Sequence, residues 1–339
     1  MPTLPTLLIH SLISTYLCVP MELEELSTLR TTLRLVCHQW NSMIKNSALC
    51  WSTFHLIRGK TNVSHVSFTS HLRASLELSN NAPLSIQIRG QSNGPFGIWV
   101  PHEVQDYLDI LAERIKQWAE LEIMLVEAFP LSILRLLSRY PFSNAAILKH
   151  FSLISVASTE SIAVTVALVT EAAPALKCLE LTTDAGSQFF YNIPIDHTPF
   201  ERITSLHLGV RSVMAASSVL PHFRSIATLR FELLRNNPPL GSTDITISLP
   251  ALRTLILSGT HSQRLLPTLD IPQLETLFCD SELTRDLIVF LSHRKLPTLV
   301  VTAVSGGVDG TSLLSEEVAA NVGNVEIVAT IPQEIHGLY

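Results

Sequence analysis

The sequence predicts an α/β protein in two parts: a short N-terminal α-helical module, then a solenoid in which a strand and a return segment alternate. Three observations predict it. Eight segments repeat one apolar pattern at near-constant spacing, a single amphipathic helical face precedes them, and the composition supplies a large core with little charge. Of 339 residues, 47% are hydrophobic and only 15% charged, against roughly 25% charged in a typical soluble domain. That balance argues against long disordered tails, which need low hydrophobicity and high net charge. It also leaves apolar surface over for a partner.

The repeated pattern is apolar-x-x-apolar-x-apolar. It occurs at Trp118-Leu121-Ile123, Leu148-Phe151-Leu153, Leu176-Leu179-Leu181, Ile203-Leu206-Leu208, Ile226-Leu229-Phe231, Leu252-Leu255-Leu257, Leu274-Leu277-Cys279 and Leu296-Leu299-Val301. Successive copies start 22 to 30 residues apart, in or beside the range of about 20–29 of leucine-rich repeats. One such unit cannot bury its own apolar face, whereas a stack builds a continuous core. The sixth position varies and no Asn follows it, so the repeats are degenerate. Return helices are expected over Glu103–Gln117 and Thr284–Arg294, each with apolar residues at helical spacing. Pro221, Pro250, Pro272 and Pro297 punctuate the loops that enter strands. The last elements expected are a helix over Ser312–Asn321, stopped by Gly323, and a closing strand over Val325–Thr330.

The N-terminal segment follows a different rule. Leu33, Val36, Cys37, Trp40 and Ile44 fall on one helical face. A module of about fifty residues rarely encloses a full core alone, yet this one also carries Leu4, Leu7, Leu8, Leu12, Ile13, Leu17 and Trp51. Some of that surface must meet another wall, in the solenoid or in a partner. The expected division is 1–56 helical module, 57–95 connecting segment with a first strand, and 96–339 solenoid.

Residues Leu33-Arg34-Leu35-Val36-Cys37-His38-Gln39-Trp40-Asn41, followed by Leu49-Cys50-Trp51, resemble the second half of an F-box, and Leu4-Pro5 resembles its opening. His71-Leu72-Arg73-Ala74-Ser75 and Asn81-Ala82-Pro83-Leu84-Ser85-Ile86 are similar to the segment after the F-box in the expanded fungal F-box proteins with degenerate leucine-rich repeats. The specific part of the likeness spans residues 4 to 90; Leu7 stands where the family commonly has an acidic residue. The resemblance implies an SCF-type receptor, a non-enzymatic subunit of a cullin–RING ubiquitin ligase. Its F-box would dock on the small adaptor subunit and its repeats would select a protein substrate. Carried over residue by residue, it implicates Leu4, Pro5, Leu8, Val36, Cys37, Trp40, Leu49 and Trp51 in adaptor binding. The alternative is an interaction scaffold whose module is buried intramolecularly and recruits no ligase.

Other classes find little support. Net charge is −6 and no block of Lys and Arg occurs, so a nucleic-acid partner is not expected. Cys18, Cys37, Cys50, Cys178 and Cys279 are scattered and never form C-x-x-C, which argues against a disulfide framework and a zinc site. Reduced thiols in the cytosol or nucleus are expected, not secretion. Pro2 to Met21 lacks charge, but it also lacks a basic n-region and is broken by Pro5 and His10, so neither signal peptide nor membrane span is expected. Arg58-Gly59-Lys60-Thr61 lacks the glycine of a phosphate loop, since Phe54 stands in its place. Gly306 to Gly310 reads as a turn. No catalytic motif, metal site or cofactor is nominated. Cys37 is expected as a small buried apolar residue, Trp40 as core or interface, and His102 and His207 at the surface.

A substrate surface follows from the pattern itself. Its fifth position points away from the leucine core: Glu122, Ser152, Glu180, His207, Arg230, Ile256, Phe278 and Val300. The last three are apolar and, at about 4.8 Å per strand, should form one exposed stripe with Asp280 at its edge. Exposed apolar patches mark interaction sites, so Ile256, Phe278, Asp280 and Val300 are the expected substrate contacts. The competing expectation has the tail, near Val325 to Thr330, folding over the stripe.

Overall fold

The computed structural model describes residues 23–57, 65–90, 101–125, 139–155, 169–170, 172–183, 200–234, 246–259, 261–280, 284–302 and 320–328. It is a mixed α/β protein built on a large parallel sheet, with no closed barrel among the described residues. Two compact units divide the chain, residues 1–176 and 177–339.

The first unit opens with helices α1 (Leu23–Val36) and α2 (His38–Asn46) and a 3-10 turn over Ala48–Trp51. Strand β1 (Thr53–Ile57), helix α3 (His65–Ser79), strand β2 (Leu84–Gly90), helix α4 (Pro101–Ala112), and strands β3 (Trp118–Leu125) and β4 (His150–Ser155) follow. β1 to β4 pair in parallel in chain order. The second unit has β5 (Cys178–Thr183), β6 (Ser205–Val210), helix α5 (Val213–Val219), β7 (Thr228–Leu233), β8 (Ile247–Ser248), β9 (Thr254–Ser258), β10 (Leu269–Asp270), β11 (Thr276–Cys279), helix α6 (Arg285–Ser292), β12 (Leu296–Thr302) and β13 (Val322–Val328). Its sheet runs β5-β6-β7-β9-β11-β12-β13, every pairing parallel, and β8 pairs with β10 on the return side.

All eight expected segments form strands or lead into them, and their first, fourth and sixth residues are buried except Val301, which is half-buried. The entry to most of these strands is a tight turn, and the last is the exception, with Leu296 N donating to Asn321 O. The first apolar residue donates its N–H three residues back in Leu148, Leu176, Ile203, Ile226, Leu252 and Leu274. In Leu249-Pro250-Ala251-Leu252 and Ile271-Pro272-Gln273-Leu274 the proline takes the second turn position, where its fixed φ is pre-set. These two repeats are copies 22 residues apart in sequence. Their return segments pair as β8 and β10, tied by Leu249 N to Asp270 O at 2.9 Å.

Several expectations shift. The face from Leu33 to Ile44 is two helices, broken at Cys37, whose φ of −162° and ψ of 165° are extended. Thr31, Thr32 and Val36, β-branched and poor helix formers, precede the break. The Glu103–Gln117 helix starts at Pro101 and stops at Ala112, with a 3-10 turn over Ile115–Gln117. The Thr284–Arg294 helix is the shorter α6, and Ile288 on it is exposed. Pro297 lies inside β12 rather than in a loop. β13 begins three residues early, at Val322, and extends the sheet beside β12 instead of crossing its face. Ser312 to Ala319 of the expected terminal helix lies outside the described residues.

The β12–β13 pairing depends on one glycine. A Cβ at Gly323 would stand 2.9 Å from the Pro297 carbonyl oxygen, backbone that cannot swing aside. Gly→Ala normally stabilises by about 0.4–1 kcal/mol through the unfolded state, but overpacking costs about 1–3 kcal/mol. Gly323→Ala should therefore lower stability in urea unfolding by about 1–2 kcal/mol. An unchanged or raised midpoint would show that the strands part at no cost.

Candidate docking surfaces

In the helical module Ile44, Cys50 and Trp51 form a buried cluster, with Leu29, Leu33, Trp40 and Met43 packed against it. Trp51 Nε1 donates to Ile44 O at 2.7 Å, locking the 3-10 turn to the end of α2. The break at Cys37 has a consequence outside this core: it turns the apolar side chains at the end of α1 into solvent. Leu35 is 81%, Val36 57% and Leu49 57% exposed, and Cys37 is exposed rather than buried.

The residues implicated in adaptor binding thus divide. Val36, Cys37 and Leu49 lie open; Trp40 is half-buried and Trp51 buried in the module's own core. Leu4, Pro5 and Leu8 lie outside the described residues. Leu35, the most exposed large apolar residue among the described residues, was not among the expected contacts. Its signal was available, since a leucine off the core-facing stripe of a helix has no intramolecular reason to be apolar.

Beside the core sits a buried cation. Arg30 is 1% exposed, with its guanidinium 4.7 Å over the Trp51 ring and one long bond, 3.5 Å, to Thr53 O. Its Nε and Nη1 have no hydrogen-bond partner. Burial lowers its pKa to about 10, with Cys50 acting weakly the other way.

On the face opposite the leucines, side chains align in register. In the first unit His55, Gln87, Glu122 and Ser152 form a row. His55 Nδ1 lies 2.7 Å from Gln87 Oε1, and Gln87 Nε2 donates to Glu122. In the second unit the row is Glu180, His207, Arg230, Ile256, Phe278, Val300 and Glu326. His207 Nδ1 is 2.6 Å from Glu180 Oε1 and its Nε2 4.0 Å from Glu232 Oε2.

The expected stripe is therefore contiguous but not open. Ile256 and Val300 are buried, Phe278 is half-buried and Asp280 exposed, with Asp280 accepting from Gly259 N at 2.7 Å. Each buried residue stands in register between longer side chains, Ile256 between Arg230 and Phe278, Val300 between Phe278 and Glu326. At strand spacing such neighbours cover a β-branched residue. His207 is likewise buried between its carboxylates, not at the surface.

No family model matches this chain, and no curated protein matches it.

A second row on the same face escaped the sequence reading: Cys178, Ser205, Thr228, Thr254, Thr276, Thr298 and Asn324. Its signal was the third position of the repeat, threonine in four consecutive copies. Among the described residues no group of three His, Cys, Asp or Glu could hold a metal, and no helix is long and apolar enough to cross a membrane. Burial raises the Cys279 thiol far above its usual range, which keeps it unreactive.

Arg30 supplies a stability test. Burial disfavours the charged guanidinium, so Arg30 costs the fold stability at neutral pH, where it is charged folded and unfolded. Apolar replacement of buried charge is often neutral or stabilising by about 1–4 kcal/mol. Arg30→Met should raise the urea midpoint or leave it unchanged at pH 7. A large loss would mean the cation over Trp51 holds the module together.

Proposed function

We propose that this chain is a non-enzymatic substrate receptor of a cullin–RING ubiquitin ligase: an F-box-like helical module docks on the small adaptor subunit, and a leucine-rich-repeat solenoid holds a protein substrate. The observation that carries the reading is the exposed aliphatic surface of Leu35, Val36 and Leu49 around Cys37. It lies within the run of residues that resembles an F-box, beside a core of Ile44, Cys50 and Trp51 with Leu29, Leu33, Trp40 and Met43 packed against it. Aliphatic surface left open in this way suits a protein interface. Consecutive parallel strands at repeat spacing, each with its leucines inside, support the solenoid reading.

The substrate half rests on the face opposite the leucines. It offers Glu180, Arg230 and Glu232, around the buried His207, toward one end of the second unit, and Phe278 with Asp280 toward the other. Binding and orientation are all that this reading asks of the chain; transfer chemistry belongs to other subunits.

The inward packing of Trp40 and Trp51 favours a second reading, an interaction scaffold that recruits no ligase. Binding of purified adaptor subunit to the full chain separates the two. Burial of large anchors at an interface centre is worth about 2 kcal/mol or more each, so Val36→Asp and Leu49→Asp should each weaken the complex about thirtyfold. Both residues are exposed, so neither change disturbs the core. Failure of the parent chain to bind, or unchanged affinity in folded variants, would refute the receptor.

A further inference from the structure

We infer that the partner docking on the helical module presents an acidic surface, carboxylates around an apolar centre; this rests on the docking reading above and adds the partner's charge. From Leu26 to Leu76 the sequence contains no Asp or Glu, yet Arg30, Arg34, Lys45, Arg58, Lys60 and Arg73 fall within it. All 29 acidic side chains of a chain with net charge −6 lie elsewhere. At the chain's own average the stretch would hold about four.

The acid-free stretch includes the exposed aliphatics. Lys45 ends α2, and Arg73 sits in mid-α3; both are exposed, as are His38 and His71. α3 packs against the Ala48–Trp51 turn, so α1, α2, the turn and α3 form one helical cluster. Leu35, Val36, Leu49 and Val66 protrude from it. Glu24 and Glu25 sit in the first turn of α1, about 15 Å along the axis from Leu35 at 1.5 Å per residue; at the far end, Glu77 stands on α3 one turn from Arg73, and Asp106 lies 2.9 Å from His65.

Helix chemistry explains only part of this. Arg34 and Lys45, in the last turns of α1 and α2, gain from the negative end of the helix dipole. The same dipole favours carboxylates in first turns, and neither α2 nor α3 has one there. Acid is absent even where the local structure would reward it. A partner bearing carboxylates accounts for that, because like charges across an interface repel and opposite ones steer the encounter. The cations stand singly among large aliphatics, which suits a protein better than a phosphate backbone, whose binding wants clustered Lys and Arg.

The test is the association rate of purified adaptor subunit with the full chain, from low to high NaCl, for the parent and the Lys45→Glu/Arg73→Glu variant. Screening shortens to about 3 Å at 1 M salt. The parent rate should fall about tenfold or more with salt. The variant should be about tenfold slower at low salt and equal to the parent at high salt. A rate flat with salt and unchanged in the variant overturns the inference. Two further probes, polyglutamate of about 20 residues and single-stranded DNA of similar length, keep the questions separate. If the adaptor binds at no salt concentration, the receptor reading falls and polyglutamate decides the charge. Binding lost in the variant then supports an acidic partner, and no binding overturns it. DNA binding tighter than polyglutamate also overturns it, in favour of nucleic acid.

Discussion

The parallel, in-register ladder is the constraint on which each unit depends. Once Leu206, Leu229, Leu255, Leu277 and Leu299 are buried and aligned strand to strand, side-chain alternation leaves no choice about the other face. The third and fifth residues of each repeat must line up there, whatever they are. A one-residue slip would send the leucines outward and the Glu180–His207–Arg230 row into the core. The residues of that face are thus ones the leucine core does not need, and they can vary without disturbing it.

The helical module obeys a different economy. Its small core is closed by Ile44, Cys50 and Trp51, with the indole hydrogen-bonded to a helix-end carbonyl. Trp118 repeats the device on α4, donating to Leu111 O at 3.1 Å. What the module cannot enclose, it exposes at the Cys37 break and on the turn at Leu49. The buried Arg30 links α1 to β1 through Thr53.

Much of the architecture was legible because the repeat states it eight times. The eight repeat strands and their core residues follow from apolar spacing, whereas β8 and β10 do not, and β13 starts three residues earlier than expected. β1 was harder to see: Phe54 and Leu56 are buried like the later leucines, but no preceding copy sets the period. The site was less legible than the fold. Alternation placed Ile256, Phe278 and Val300 side by side, but burial depends on the length of neighbouring side chains, which a one-dimensional pattern does not show. The break at Cys37 was invisible because no proline or glycine marks it, whereas Leu35 stood off the apolar stripe in the sequence itself.

Hydrogen–deuterium exchange of the full chain with and without purified adaptor subunit tests the central claim most directly. The account predicts that amides from Arg34 to Ser52 gain protection on adding the adaptor, while β9, β11 and β12 stay unchanged. Protection confined to the strands of the second unit, or none anywhere at saturating adaptor, would contradict it.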